Sequence, residues 1–291
     1  MARTTAKAFD EFNDKIALTP DQQQQVTKRA DQAARYLAQY FGAGNITPVI
    51  GTQLMGSAAR GTIIRPLDDI DILAEFRNKG GVFEQYRGKS QDFLYHIRAT
   101  LDAKTQIQTV GARGQVVRLF YTGGPHVDIA PVFEWQGGGY ALPAGDETWL
   151  TTDPVAQAVW INRRQEELSN LLKKRVRMLK RWNRVHGGRL QSFHLEVMVA
   201  TVFSSMGADS RDALHVFFKA APGNLIVKDP AGHGGDLSAY LSLGARVAAV
   251  QSFRTAGDRA ANALAAERLG NHPEAIRLWR IILGDEFPSY G

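Results

Sequence analysis

A chain of 291 residues, 44% hydrophobic and 22% charged, is typical of a soluble protein with one large or two ordinary domains. It has no cysteine, which excludes disulfides and thiolate metal sites. No apolar run approaches the roughly 20 residues of a membrane helix, and no secretory signal is expected, so the sequence predicts no membrane span and a cytoplasmic location. The net charge of +6 favours an anionic partner, either a nucleic acid or nucleoside triphosphates.

Residues 21–41 predict an amphipathic helix. Asp21 follows Pro20 and suits a first turn, while Gly42 and Gly44 end the helical pattern. The apolar residues that form one face are Val26, Ala30, Ala33, Ala34, Leu37 and Phe41. We therefore expect one long helix before the first strand.

Between about residues 46 and 145 the sequence changes to short β-rich runs that are broken by glycine pairs. A helix predicted over residues 90–103 interrupts these runs. The predicted strands cover residues 47–52, 70–76, 105–110, 116–121 and 126–133, with a weaker strand near Tyr140. This order favours an α/β (α+β) fold, in which helices pack on a mixed sheet.

Three aspartates lie in or beside two of these strands. Asp69 and Asp71 are two residues apart, so their side chains project from the same face of a strand. Asp128 is the one acidic residue in the apolar run at residues 126–133, and it completes a cluster if the two strands are neighbours. Carboxylates held this close repel one another unless cations lie between them, and Mg²⁺ prefers such hard oxygen ligands. The sequence therefore predicts two Mg²⁺ ions, with Mn²⁺ as a substitute, bound by these acids for in-line phosphoryl transfer.

A Gly56-Ser57 pair precedes the acids. Glycine lets a backbone approach a phosphate closely, and the Ser57 hydroxyl can donate to a terminal phosphate oxygen. An Asp-x-Asp pair alone is usually solvated and a Gly-Ser pair alone is usually a turn, but their order and spacing together indicate a catalytic site. Asp68 is interpreted as a solvated neighbour of the cluster and His126 as a polar residue at a strand end.

After Asp153-Pro154 the sequence becomes almost wholly helical. Pro154 suits the first turn of a long helix over residues 154–185, which Gly187-Gly188 ends. Further helices are predicted over residues 192–206, 210–220, 236–255, 258–269 and 273–283. We therefore expect a catalytic lobe with an N-terminal helix at residues 1–152, a helical lobe at residues 153–291, and the active site in the cleft between them.

The Gly-Ser turn, the spacer and the three aspartates resemble the signature of the polymerase β nucleotidyltransferase superfamily. Residues 56–71, which contain Gly-Ser-Ala-Ala-Arg-Gly-Thr and Arg-Pro-Leu-Asp-Asp-Ile-Asp, are similar to the bacterial CD-NTases, relatives of cyclic GMP-AMP synthase and oligoadenylate synthase. Residues 126–133 and 180–196 share this likeness. The resemblance implies a polymerase β-like core followed by a helical lobe like the C-terminal domain of oligoadenylate synthase.

The resemblance also implies roles for residues outside the acidic cluster. Lys180 and Ser192 would contact the triphosphate. Phe193 would stack on the donor base, although an aromatic residue at this position suits the core equally well. Asn162 would lie near the acceptor base, where its amide can match a uracil edge, or it is an ordinary exposed residue of a helix.

The implied activity is that of a cyclic oligonucleotide synthase. Such an enzyme transfers an α-phosphate from one ribonucleoside triphosphate to a ribose hydroxyl of another, releases pyrophosphate and closes the product into a ring. Asn162 favours a pyrimidine-containing cyclic dinucleotide. The resemblance further implies a second messenger in antiphage defence that acts on a separate effector protein. Because the chain has no cysteine, the zinc-bearing insertion of the animal DNA sensor is absent, and no obligatory DNA activator is expected.

Two other functions remain open at this point. Nucleotidyltransferases that modify an antibiotic, an RNA end or a protein share the Gly-Ser and three-aspartate set, so this set does not distinguish them. A non-catalytic nucleotide- or RNA-binding module could keep the fold, although a pure binder has no need of three clustered acids.

Overall fold

The computed structural model describes residues 2–103, 107 and 109–291. Its first helix, α1 (Thr5–Ile16), buries Phe9 and Phe12. The ring centroid of Phe9 lies 4.9 Å from that of Trp279 and 5.1 Å from that of Phe287, so α1 packs in the core of the helical lobe. The sequence predicted no helix in this segment, and the predicted division, which assigned residues 1–152 to the catalytic lobe, stays a prediction. The sequence of an amphipathic helix shows which of its faces is buried but not which lobe covers that face.

The second helix, α2 (Pro20–Tyr40), confirms the helix predicted over residues 21–41. Thr19 and Gln22 form a reciprocal capping box at its start. Its buried face packs on the sheet of the catalytic lobe, and the residues that it buries are Val26, Ala33 and Leu37.

The described strands form one mixed sheet, which confirms the predicted architecture. They are β1 (Val49–Leu54), β2 (Asp69–Phe76), β3 (Thr109–Arg113), β4 (Val116–Phe120), β5 (His126–Glu134), β6 (Tyr140–Pro143) and β7 (Trp149–Thr152). The order across the sheet is β1-β2-β5-β4-β3, and β6 and β7 extend it from the end of β5. β2 and β5 run parallel, whereas the other described pairs are antiparallel.

The predicted strands agree with the observed ones except in two places. The sequence predicts no strand at β7, because these four residues show no clear alternation of apolar and polar side chains. β7 is a strand because its main chain pairs with β6. Of the strand predicted at residues 105–110, residues 105, 106 and 108 lie outside the described residues, and β3 begins at Thr109.

The core of the catalytic lobe lies between the sheet and two helices, α2 and α5 (Ser90–Asp102). α5 confirms the helix predicted over residues 90–103. Two shorter helices, α3 (Gly56–Ala59) and α4 (Val82–Tyr86), occupy connections between these elements. Ile70 and Ile72 on β2 point into this core, which leaves the alternate residues of β2 on the opposite face.

The helical lobe contains α6 (Pro154–Glu167), α7 (Leu172–Val185), α8 (Ser192–Val202), α9 (Ser210–Ala220), α10 (Leu243–Arg268) and α11 (His272–Leu283). The single helix predicted over residues 154–185 is therefore two helices. They separate because Ser169 and Asn170 adopt positive φ angles of 56° and 61°, which a right-handed helix does not accommodate.

Conversely, the two helices predicted over residues 236–255 and 258–269 are one helix, α10, which begins after the Ser242 cap. Gly257 lies within α10, buried against the side of Phe218, and does not end the helix. The helix predicted over residues 192–206 ends at Val202. In the part of the chain that the structure describes, no helix is long and apolar enough to cross a membrane.

Candidate active site

The two central parallel strands place the three aspartates together. Asp71 on β2 lies opposite Asp128 on β5, and Asp69 lies opposite His126. Asp69 and Asp71 share the face of β2 that points away from the core. Asp128 is buried, whereas half of the Asp69 side chain is exposed. The cluster therefore lies where the start of both strands meets solvent.

An arginine from the next strand bridges two of these acids. Arg118 on β4 lies opposite Asp128, and its Nε and Nη2 donate to the two carboxylate oxygens of Asp128 at 2.6 and 2.5 Å. The same Nη2 lies 3.2 Å from Oδ2 of Asp69. Within the described residues, no group of three or more His, Cys, Asp or Glu side chains already has the arrangement of a metal site. The cation among the carboxylates in this structure is the guanidinium.

The electrostatics of the acids reflect their crowding. Burial, followed by the negative charges of Asp69 and Asp128, raises the pKa of Asp71 to about 6. Burial and the charge of Asp128 also raise the pKa of Asp69, although Arg118 opposes the rise. The pKa of Arg118 is raised, first by its hydrogen bond to Asp128. Three carboxylates and one guanidinium leave an excess of negative charge, so the oxygen donors fit divalent cations.

The turn before β2 fits closely over the acids. Gly56 has a φ angle of +61°, and a Cβ atom at this position would lie 2.0 Å from Oδ2 of Asp71. The amide of Met55 donates to the carbonyl oxygen of Asp71 at 2.9 Å. Only a residue without a side chain lets this backbone lie so close to the carboxylate.

A cleft of about 440 Å³ opens beside the acids, between the two lobes. The catalytic lobe contributes Ser57, Asp68 and Asp69 among other residues, and the helical lobe contributes Lys180 and Ser192. Four of the predicted site residues, Ser57, Asp69, Lys180 and Ser192, therefore line one cavity. The rest of its lining is Ile63, Ile64, Pro66, Asn183, Arg184, Gly187, Gly188 and Leu190.

Lys180 belongs to a buried ion cluster. Its Nζ donates to the carbonyl oxygen of Thr62 at 3.1 Å and lies 3.3 Å from Oε1 of Glu196, which is fully buried. Arg60 donates to the same carboxylate from Nε at 2.8 Å. Burial lowers the pKa of Lys180, with the charge of Arg60 adding to the effect. Although burial alone would raise the pKa of Glu196, the charges of Arg60 and Lys180 hold it below its usual range.

Five predicted residues lie outside the described lining of the cleft, namely Gly56, Asp71 and Asp128 of the acidic cluster and its turn, and Phe193 and Asn162. Phe193 is half-buried, packs on the core of the helical lobe and holds the guanidinium of Arg60 at 4.7 Å from its ring centroid. Asn162 is exposed on α6, and its Oδ1 accepts from Nζ of Lys173 at 2.7 Å. Gly61, in the turn that follows α3, lies close to the same lysine. Lys173 therefore lies between Asn162 and this turn.

Several features of the site were not predicted from the sequence. Asp68, interpreted as a solvated neighbour, pairs with Nη2 of Arg184 at 3.0 Å. Asn183 donates to and accepts from the backbone of Leu190, which closes the glycine-containing turn after α7. The sequence does mark Arg118 as unusual, because it is a charged residue between apolar neighbours in a predicted strand. Its partner, however, depends on the order of the strands in the sheet.

Comparisons with known proteins identify a matching family and a related protein. Residues 3–165 match the Second Messenger Oligonucleotide or Dinucleotide Synthetase domain. A probable cyclic nucleotide synthase of Bacillus cereus is 24% identical over 335 aligned positions, covering 100% of this chain and 99% of that protein.

Solved structures share the fold over nearly the whole chain. The structure of Escherichia coli CdnC with ATP has a TM-score of 0.82 at 18% identity, covering 98% of this chain and 99% of that one. The Bradyrhizobium diazoefficiens CD-NTase CdnG in complex with GTP has a TM-score of 0.73 at 14% identity, covering 94% and 98%. The Vibrio cholerae cyclic AMP-GMP synthase DncV has a TM-score of 0.66 at 17% identity, covering 98% and 87%.

Proposed function

The chain belongs to the second messenger oligonucleotide or dinucleotide synthetase family, and from this premise we propose that it joins ribonucleoside triphosphates into a cyclic oligonucleotide with release of pyrophosphate. It is a nucleotidyltransferase with the fold of the CD-NTases. The observation that supports the proposal most directly is an interlobe cleft lined by Asp69, which belongs to a cluster of three aspartates on adjacent parallel strands.

In this proposal Asp69, Asp71 and Asp128 hold two divalent ions, Mg²⁺ or in its place Mn²⁺. When bound, the metal ions supply positive charge that favours ionisation of the attacking ribose hydroxyl and stabilises the departing pyrophosphate. The chain itself supplies the alignment. β2 and β5 are fixed side by side by parallel pairing, so the carboxylates need little rearrangement to meet a shared ion.

The proposed donor site uses the cleft walls. Gly56 and Ser57 would receive the triphosphate on one wall, and the hydroxyl of Ser192 would donate to it from the other. Lys180 would add positive charge to this wall while it stays bonded to Thr62 and Glu196. Phe193 would stack on the donor base, which requires it to turn from its place beside Arg60.

The acceptor and the product are proposed on fewer contacts. Asn162 would read the acceptor base, and its amide suits a pyrimidine, so a pyrimidine-containing cyclic dinucleotide is the product that we propose. For Asn162 to do so, it must release Lys173. Such a product would serve as a second messenger in antiphage defence and act on a separate effector protein.

The test is to incubate the purified protein with the four ribonucleoside triphosphates and Mg²⁺, or Mn²⁺ in parallel, and to identify the products by mass spectrometry. A phosphatase-resistant product formed without an added acceptor supports the proposal and fixes the bases. Transfer only to an added antibiotic, RNA or protein would favour one of the other nucleotidyltransferase functions. A protein that releases no pyrophosphate under any of these conditions would be a binding module.

Asp128→Asn tests the proposed metal site within this assay. Loss of a metal-ligand carboxylate removes several kcal/mol of charge stabilisation, so we expect turnover to fall at least about 1000-fold. Asp68→Asn is the matched control, since this neighbouring acid pairs with Arg184 on the exposed side of the cluster, and its turnover should stay within about tenfold of wild type. If the two variants lose activity equally, or if circular dichroism shows that Asp128→Asn is unfolded, Asp128 has no specific catalytic role.

A further inference from the structure

One side chain in the site has no place in the proposed chemistry. Arg118 is neither a metal ligand nor part of the described lining of the cleft, yet it makes ion pairs with two of the three aspartates. We propose that Arg118 is a resident cation of the acidic cluster, which occupies the position of a metal ion in the metal-free protein and must move away before both metal ions bind. This inference rests on the proposed function, because it concerns the same carboxylates.

The geometry of Arg118 is that of a competitor. The guanidinium binds both carboxylate oxygens of Asp128 at 2.6 and 2.5 Å, and it reaches Asp69 at 3.2 Å. Asp69 and Asp128 lie on adjacent strands, and their carboxylates could share a metal ion. The guanidinium takes this shared place. A metal ion bound by Asp69 and Asp128 would bring its positive charge close to the guanidinium, so the two cations repel each other and compete for these oxygens. Binding of one therefore displaces the other.

The ion pair also has a role when no metal is bound. The Asp128 residue is only 6% exposed, and a buried carboxylate without a partner is costly. Arg118 lies opposite Asp128 on the neighbouring strand, so it can compensate this charge without any movement of the backbone. It is a positioning residue, since it holds the Asp128 side chain in place before metal ions bind.

The structure offers Arg118 a second position. Its side chain is 33% exposed, so its guanidinium is not enclosed. Phe120 lies two residues along β4 on the same face, and its ring centroid is 6.0 Å from the guanidinium carbon. A rotation of the side chain towards this ring would give the cation a favourable contact with the aromatic face. Displacement by a metal ion therefore requires a change of rotamer and no break in the sheet.

The test measures metal binding in the absence of nucleotide. Wild-type protein, Arg118→Gln and Arg184→Gln are freed of metal with a chelator and titrated with Mn²⁺, and the free ion is followed by electron paramagnetic resonance. Removal of a competing charge-assisted pair should tighten Mn²⁺ binding by Arg118→Gln about tenfold or more. Arg184→Gln also removes one positive charge near the acids, but Arg184 pairs with Asp68 and not with the three aspartates. This variant therefore controls for long-range electrostatic attraction, and its Mn²⁺ affinity should change less than about threefold.

Unchanged or weaker Mn²⁺ binding by Arg118→Gln, relative to Arg184→Gln, overturns the proposal. If Arg118→Gln does not fold, Arg118→Lys keeps a cation but cannot bind both oxygens of Asp128, and it should show tighter Mn²⁺ binding than wild type. The proposed function fails separately. If the wild-type protein makes a cyclic product while Arg118→Gln shows no gain in affinity, only the competitor role is wrong. If the wild type binds no Mn²⁺ and makes no product, both proposals are wrong.

Discussion

At the scale of single residues, Asp71 is an acid whose surroundings raise its pKa well above the ordinary value. Burial and the neighbouring charges of Asp69 and Asp128 raise its pKa to about 6, whereas an unfolded chain leaves an aspartate near its ordinary value of 3.8. Between these two values the folded state binds more protons than the unfolded state. The metal-free protein is therefore less stable when the pH rises through about 6, because the proton is lost and the negative charge remains among like charges.

Asp71→Asn removes this charge at almost unchanged shape. In the presence of a chelator, the variant should be more stable than wild type by about 2 kcal/mol at about pH 8, and the difference should shrink towards zero at about pH 3, where the aspartate is largely protonated in both the folded and the unfolded state. Urea unfolding at several pH values measures this difference. Asp31→Asn, which removes an exposed acid on α2, is the control for the loss of one negative charge. An Asp71→Asn variant that is less stable than wild type at about pH 8 would contradict the prediction.

The sequence predicts that the three aspartates lie close together, but not that an arginine pairs with two of them. Asp69 and Asp71 could be placed on one face because the strand period is local, and Asp128 stood alone in an apolar strand. Arg118 could not be assigned, because its contact with Asp128 depends on β4 lying beside β5 and on their register. Likewise, the buried bond from Lys180 to Glu196 joins two helices whose relative position the sequence does not give.

At the scale of elements, the α3 turn depends on one glycine. Gly56→Ala would place a methyl group against the Asp71 carboxylate, in a backbone conformation that costs a residue with a side chain about 1–2 kcal/mol. The turn or the carboxylate must then move, so we expect Mn²⁺ affinity and nucleotidyl transfer to fall by at least about tenfold while the protein still folds.

Gly80→Ala is the matched control for this prediction. Gly80 has nearly the same φ angle, +63°, but a Cβ atom there meets no atom within 4 Å. Its unfolding free energy should decrease by a similar small amount, while its metal binding stays at the wild-type level. If both variants bind Mn²⁺ as tightly as wild type, the close approach of Gly56 to Asp71 has no importance for the site.

The elements themselves were predicted where local patterns decide and missed where tertiary contacts decide. α2 and α9 have caps and apolar faces that the sequence shows directly. The break between α6 and α7 falls at Ser169 and Asn170, which carry no glycine or proline signal. α10 continues through Gly257, because burial against Phe218 stabilises the helix there more than the glycine weakens it.

At the scale of the whole molecule, the two larger hydrophobic cores of the described residues are joined by a buried cluster of ions. One core lies under the sheet and the other lies among α1 and the helices after residue 153. Arg60, at the end of α3, and Lys180, on α7, both bind Glu196 on α8. Lys180 also bonds to the backbone at Thr62, so the turn at residues 60–62 of one lobe is fixed to two helices of the other.

Glu196→Gln tests whether this cluster makes the lobes unfold together. The variant leaves two buried cations without their carboxylate, and loss of one member of a buried ion pair costs about 3–5 kcal/mol. Lys180→Met leaves the Arg60–Glu196 pair at 2.8 Å in place, so it should cost clearly less. Because the lost contacts lie between the lobes, Glu196→Gln should also separate thermal unfolding into two transitions.

Differential scanning calorimetry measures both effects, since a calorimetric enthalpy that equals the van't Hoff enthalpy indicates one cooperative unit. Glu286→Gln is the control. This acid pairs with Arg181 at 3.2 Å, and both lie on the helical side, so the variant removes an ion pair without uncoupling the lobes. We expect one transition for this variant and for the wild type. A single transition in Glu196→Gln, with stability within about 1 kcal/mol of wild type, would mean that apolar contacts hold the lobes together. The ion cluster would then stabilise only the local shape of the turn at residues 60–62.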